Sequence, residues 1–246
     1  MNGVPTPSLD KKRIAAHFGR AAETYDAHDV LQREVVARAV ERLQYMVLDP
    51  LRILDLGAGT GRCARALAER YRKAQLVQCD LALAMLQASR RHVPRWFSRH
   101  RFVCADAERL PFADATFDLV FSSLALQWCE DLPATFSGVR RTLREGGLFL
   151  FTTLGPDTLH ELRAAFAAVS GAPHVHRFID MHDVGDLLGR AGFADPVMEA
   201  EHITVEYDDV LTLLRDFERP RRWQRRPGAS PWHARPAPAR ARRCGL

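Results

Sequence analysis

Short apolar runs alternate with amphipathic stretches through most of the chain. LRILDL at 51–56 is apolar throughout and feeds a glycine-rich turn, which reads as a buried strand. Further strands are expected at AQLVQCD (74–80), RFVCAD (101–106), the start of FDLVFSSLAL (117–126) and LFLFTTL (148–154). Between them the pattern predicts helices over 61–72, 81–91 and 133–145, the last ending before Gly146-Gly147, a helix-stop and turn signal. Upstream, 11–24 and 30–46 read as helices; in the second, Val36, Val40, Leu43 and Val47 share a stripe with Arg and Glu between. Helices around 156–169 and 180–191 follow, then a strand-like stretch, DPVMEAEHITVEY at 195–207.

Apolar strands alternating with helices imply an α/β fold with a doubly wound, mostly parallel sheet, covered on both faces. Such sheets bind ligands beyond the carboxyl ends of their strands. Three of those ends carry an acid. The first strand ends in Asp55-Leu-Gly57-Ala-Gly59-Thr-Gly61, where glycines let the backbone turn sharply and approach a ligand. The spacing is GxGxG, and Arg62 stands where a dinucleotide fingerprint has its third glycine. A carboxylate two places before the first glycine would oppose a pyrophosphate and suit a cationic or hydroxyl-bearing ligand. Asp80 closes the second strand, where it can accept from both hydroxyls of a ribose or serve as a helix cap. Asp106, followed by Ala107, closes the third; it can accept from the exocyclic amine of adenine or be a turn aspartate. Three acids at successive strand ends describe a nucleoside pocket without a phosphate.

Charge changes one inference. The chain has 35 basic and 30 acidic residues and a pI near 9.2, which invites a nucleic-acid reading. Nine of the arginines and none of the acids lie in 219–246, so 1–218 is mildly acidic and no nucleic-acid partner is expected. The five cysteines, Cys63, Cys79, Cys104, Cys129 and Cys244, form no CxxC pair or zinc-ligand spacing, and buried thiols in a reducing compartment are expected. No apolar run approaches a membrane span and the N-terminus lacks a secretory core, so the expectation is a cytoplasmic protein with no membrane contact.

DLGAGTG, CD, ADAERLPFADATFDLVFSSLALQW and LREGGLFLFTTL together resemble the class I S-adenosylmethionine-dependent methyltransferases. More narrowly, residues 11–217 resemble the malonyl-acyl carrier protein O-methyltransferases, which begin pimeloyl assembly for biotin. The narrower likeness is carried by KKRIAAHFGRAAETYDAHDVLQRE, SSLALQWCEDLP, FTTLGPDTLHELR and PHVHRF. A related family, which assists complex I assembly and modifies a protein arginine, shares the LPF…FDLV segment and a DTLxELR segment. A non-catalytic scaffold is the remaining alternative.

The resemblance implies S-adenosyl-L-methionine as cofactor and malonyl-acyl carrier protein, or malonyl-CoA, as acceptor. It implies a lid at 1–46, a methyltransferase domain at 47–218 and a tail at 219–246. Gly57, Gly59 and Gly61 would cradle the methionine moiety and Asp55 would help hold its amino group. Asp80 would take the ribose, and Asp106 with Ala107 the adenine. Leu81 and Met85 would pack on base and ribose, and Ser122 to Leu124 would border the methyl group. The acceptor is a carboxylate, ionised at neutral pH, so no general base is implied. Arg177 and His174 in PHVHRF, and Tyr25 in the lid, are the candidates to hold it; Gln127 and Trp128 would shape its channel. For the acidic carrier protein, Lys11, Lys12, Arg13 and Arg20 on the lid are the favoured docking cluster, ahead of the run SRRHVPRWFSRHR at 89–101. The likeness stops near LTLLRD at 211–216. A frameshift that removes the closing strands is one expectation for 219–246, and a disordered basic tail the other.

Overall fold

A computed structural model describes residues 10–27, 29–94, 98–169, 178–209 and 212–213. The five expected strands are β1 (Arg52–Leu56), β2 (Gln75–Asp80), β3 (His100–Cys104), β4 (Phe117–Ser123) and β5 (Leu143–Thr152). They form one parallel sheet in the order β3-β2-β1-β4-β5. The order reverses between β1 and β4, which places the switch point, and the ligand crevice, at the carboxyl ends of those two strands. The helices are α1 (Lys11–Ala21), α2 (Val30–Arg42), α3 (Arg62–Arg70), α4 (Leu83–Arg91), α5 (Leu132–Thr142), α6 (His160–Val169) and α7 (Met181–Arg190).

Strand alternation divides the core. Ile53, Leu76, Leu119 and Phe121 pack with Val36, Ala39 and Leu43 from the α2 region and with Cys63 and Leu67 of α3. Leu54, Leu56, Val77, Cys79 and Val120 point the other way, onto Val139 of α5 and Leu110. Among the described residues no helix is long and apolar enough to cross a membrane, and no group of three or more His, Cys, Asp or Glu could hold a metal.

Four expectations need correction. The first helix stops at Ala21, not at residue 24, because the chain turns at 22–24 and drops Tyr25 onto α4. Gly146-Gly147 do not separate helix from strand. β5 already pairs at Leu143 with Phe117, then skips to Leu148 opposite Leu119, and the glycines form the resulting bulge, Gly146 at φ +72°. Residues 195–207 form no strand: with no described neighbour to pair with, the alternating pattern yields extended chain. It is held by Glu199 on Arg42 (2.8 and 2.6 Å) and Glu201 on Arg38 (3.0 Å) of α2. Cys104 is exposed, unlike buried Cys63 and Cys79, because β3 is an edge strand. The tail at 219–246 lies outside the described residues.

Candidate cofactor and acceptor site

The turn after β1 rests on β2. The Gly57 and Ala58 amides donate to the Cys79 carbonyl at 2.8 and 3.0 Å. The three glycines, alike in the sequence, do different work. A Cβ at Gly57 would meet the Ala125 Cβ at 2.2 Å, so this glycine admits the segment after β4. A Cβ at Gly61 would meet Ser89 Oγ at 2.0 Å and Gln78 Oε1 at 2.8 Å, so this one admits α4. Gly59, at φ +53°, has nothing within 4 Å of its Cβ position and opens onto free space. Of the three, it is the one whose Cβ side is open.

Asp80 binds this turn to α4. Its carboxylate accepts from the Gly59 amide and from the Ala82 amide, both at 2.8 Å. Burial raises its pKa, opposed by those same two amides. An ionised carboxylate has about four lone-pair positions, so acceptor capacity remains for a pair of hydroxyls. The helix-cap and ribose readings of Asp80 are therefore compatible.

Asp55 is wholly buried, and neither carboxylate oxygen has a hydrogen-bond partner. Burial lifts its pKa to about 7; the Ala64 amide opposes the rise without making a bond of ordinary geometry, and Asp80's charge adds to it. A lone acid in that state calls for a donor or cation.

Asp106 and its neighbour Glu108 are clasped by α1. Lys11 of α1 donates to Asp106 Oδ1 at 3.0 Å and Glu108 Oε1 at 2.7 Å. Glu108 also accepts from the Glu130 and Asp131 amides, and its pKa falls because these bonds outweigh burial. Lys11 is raised for the same reason: its bonds to Glu108 and Asp106 overcome desolvation. Lys11 is thus committed inside the molecule, which corrects its place in the docking cluster. Asp106 Oδ2 makes none of these bonds.

The segment between α1 and α2 grips the glycine turn. Thr60 Oγ1 donates to Asp26 at 2.5 Å, and buried Asp29 pairs with Arg62. Tyr25 packs among Ala22, Ala82, Met85 and Phe18; burial first, then Asp29 and Asp80, raises its hydroxyl to about 12, so the phenol stays neutral. Phe18 stands edge-on to Trp128 at 5.5 Å and so links α1 to the segment after β4. There Leu124 takes φ +49°, and Gln127 Nε2 donates to its carbonyl at 2.6 Å, leaving Gln127 Oε1 buried without a partner.

The structure therefore brings Asp55, Gly57, Gly59, Gly61, Asp80, Leu81 and Met85 to the β1 and β2 ends, with Tyr25 above them. Ser122 and Leu124 stand at the neighbouring β4 end and Asp106 and Ala107 at the β3 end. Ser122 is not free to face a ligand: it is buried and its hydroxyl donates to the Leu56 carbonyl at 2.8 Å. Met85 is likewise buried, beneath Ala22 and Tyr25. His174 and Arg177 lie outside the described residues. Sequence reasoning missed the contacts of Lys11, Asp26 and Asp29; their partners are 33 to 97 positions away, and no spacing marks them.

A nucleoside bearing a cationic amino acid fits this donor set. There are acceptors at three strand ends, one of them an orphaned buried acid, and a glycine whose Cβ side is open. A parallel sheet with that switch point and those acids defines a class I methyltransferase. Residues 54–151 match a family model described as a methyltransferase domain. The fold is shared with a methyltransferase of Thermotoga maritima described as SAM-dependent (TM-score 0.57, 20% identity, 73% of this chain and 81% of that one). It is also shared with phosphoethanolamine N-methyltransferase 2 of Haemonchus contortus in complex with S-adenosyl-L-methionine (TM-score 0.53, 24% identity, 77% of this chain and 42% of that one). Malonyl-[acyl-carrier protein] O-methyltransferase of Gallionella capsiferriformans is 51% identical over 85% of this chain and 74% of its own length. The chain belongs to the malonyl-[acyl-carrier protein] O-methyltransferase family.

Proposed function

We infer that the protein transfers a methyl group from S-adenosylmethionine to the free carboxylate of a malonyl thioester on acyl carrier protein. The product is the methyl ester that opens pimeloyl assembly for biotin. The observation that carries the reading is the 51% identity to an enzyme of that name, over a stretch that contains every strand-end acid described above. The relatives favour it over a protein-arginine enzyme or a scaffold.

When bound, S-adenosylmethionine supplies an electrophilic methyl group on a positively charged sulfur. Asp80 would hold its ribose, Asp106 Oδ2 its adenine and Asp55 its amino group, with Gly59 giving the approach. A malonyl carboxylate with a pKa near 4 is already ionised, so no residue need remove a proton. The work left to the protein is alignment and exclusion of water. The lid is suited to both, because Lys11 fixes one end on the β3 turn and Asp26 and Asp29 fix the other on the glycine turn. Neutral Tyr25 can donate a hydrogen bond, and Arg177 is the candidate fork for the carboxylate.

The test is methyl transfer from labelled cofactor to malonyl-, acetyl- and butyryl-carrier protein, with rescue of a biotin-requiring strain. Labelling confined to the malonyl form is expected. Tight cofactor binding with no labelling of malonyl-carrier protein refutes the reading.

A further inference from the structure

Lysines are mostly exposed, yet only 23% of the Lys11 side chain is. Its helix puts it there. The Asp10 carboxylate caps α1, accepting from the Lys12 and Arg13 amides at 3.1 and 3.2 Å, and Ile14 is buried. Further along, a Cβ at Gly19 would sit 3.6 Å from the Ala84 Cβ, so α1 lies close against α4. With α1 fixed along its length, its first residue falls on the turn after β3.

That turn is fixed from the sheet side. The Ala105 amide donates to the Asp80 carbonyl at 3.1 Å, and the Arg109 amide to the Asp106 carbonyl at 2.9 Å, so the Asp106 backbone stands beside the end of β2. The backbone does not orient the carboxylate, because the last torsion of an aspartate is broad. Two donors do. Lys11 Nζ and the Glu108 amide both bond Oδ1, at 3.0 and 3.1 Å, and together they set the carboxylate plane and the direction of Oδ2. Lys11 is itself held by Glu108 Oε1, which also accepts from the Glu130 and Asp131 amides just before α5. The Asp106 side chain keeps 26% of its exposure, so a ligand can reach it.

We propose that Lys11 is a positioning residue for the purine: by holding Asp106 Oδ1 it presents Oδ2 to the exocyclic amine and makes that amine a recognised group. This rests on the reading of Asp106 as the adenine acceptor. An acceptor oriented in advance gains more from a donor than one that must be ordered on binding. Lys11 therefore acts on the 6-amino group alone, and not on the ribose or amino-acid parts assigned to Asp80 and Asp55.

The experiment is calorimetry on the full chain with S-adenosylhomocysteine and with its purine riboside analogue, in which hydrogen replaces the 6-amino group. The proteins are wild type, K11M, D106A and K11M/D106A. Wild type should bind the adenosyl compound about tenfold or more tighter, since one hydrogen bond to a charged group carries that much. K11M should lose most of this preference by weakening the adenosyl compound, while the purine compound keeps its wild-type affinity. D106A should bind both compounds alike, and adding K11M there should cost nothing further. Equal weakening of both compounds by K11M overturns the proposal, because Lys11 then only braces α1. A preference that survives K11M overturns it too, as does a full further loss in the double variant. A wild type without preference removes the adenine reading of Asp106, and the proposal with it, while leaving methyl transfer to the malonyl carboxylate standing.

Discussion

Asp55→Asn isolates the buried acid. The folded protein holds Asp55 at a pKa of about 7, against an ordinary 3.8, because the carboxylate is wholly buried with neither oxygen paired. Below pH 3.8 the group is protonated folded and unfolded and costs nothing. Between 3.8 and about 7 the unfolded chain ionises while the folded one keeps its proton, so unfolding releases a proton and rising pH favours it. At 1.36 kcal/mol per pH unit the full loss is about 4 kcal/mol, of which about 2–3 kcal/mol falls between pH 5 and 7. The buried amide of the variant lowers the whole curve by roughly 1–3 kcal/mol but does not tilt it. Urea unfolding of both proteins without cofactor, at pH 5, 6, 7 and 8, reads the difference in slope. The histidines are common to both and cancel. Wild type should lose stability relative to the variant as pH rises, and saturating S-adenosylmethionine should flatten its curve. Parallel curves would refute the orphaned acid.

Three further outcomes are expected. Gly57→Ala should lower stability by roughly 2–5 kcal/mol through its clash with Ala125 and its φ of +75°, whereas Gly59→Ala should cost only about 1–2 kcal/mol and yet weaken cofactor binding more than tenfold. Thermal melts and calorimetry on the pair check this, and equal effects would contradict the separate roles. Lys11→Met should cost no more than about 1 kcal/mol, since its pairs are partly exposed, but should speed chymotryptic cleavage at Phe18 and Tyr25; an unchanged rate would mean that Lys11 does not hold the lid. Arg177→Ala should raise the KM for malonyl-carrier protein about a hundredfold with cofactor affinity intact, and a normal KM would remove it from the acceptor site.

The sheet was legible because its interior strands are buried on both faces and carry uninterrupted apolar runs; Leu54, Val77 and Val120 then fall into register. The acids were legible because a doubly wound sheet collects its ligands at strand ends, so position along the strand already located Asp55, Asp80 and Asp106. Legibility failed at the sheet's margins. Cys104 sits in an apolar run, but among the described residues β3 has only one neighbour and leaves it exposed. Residues 195–207 alternate well, but a strand is a relation between two segments, and one segment's pattern cannot supply the other.

Charge was the least legible property, because pairing decides whether a basic residue is surface or structure. Lys11 and Arg20 stand on one helix and look equivalent in the sequence. One turns to Asp106 and Glu108, about a hundred positions away, and becomes part of the fold; the other makes no ion pair among the described residues. The cations of α1 thus sort by what lies beneath them. At its start Lys11 is neutralised from within. At its end, over the Arg-Arg-His terminus of α4, pairing is sparser: Arg91 meets Glu23 at 3.8 Å, and Arg20 makes no ion pair among the described residues.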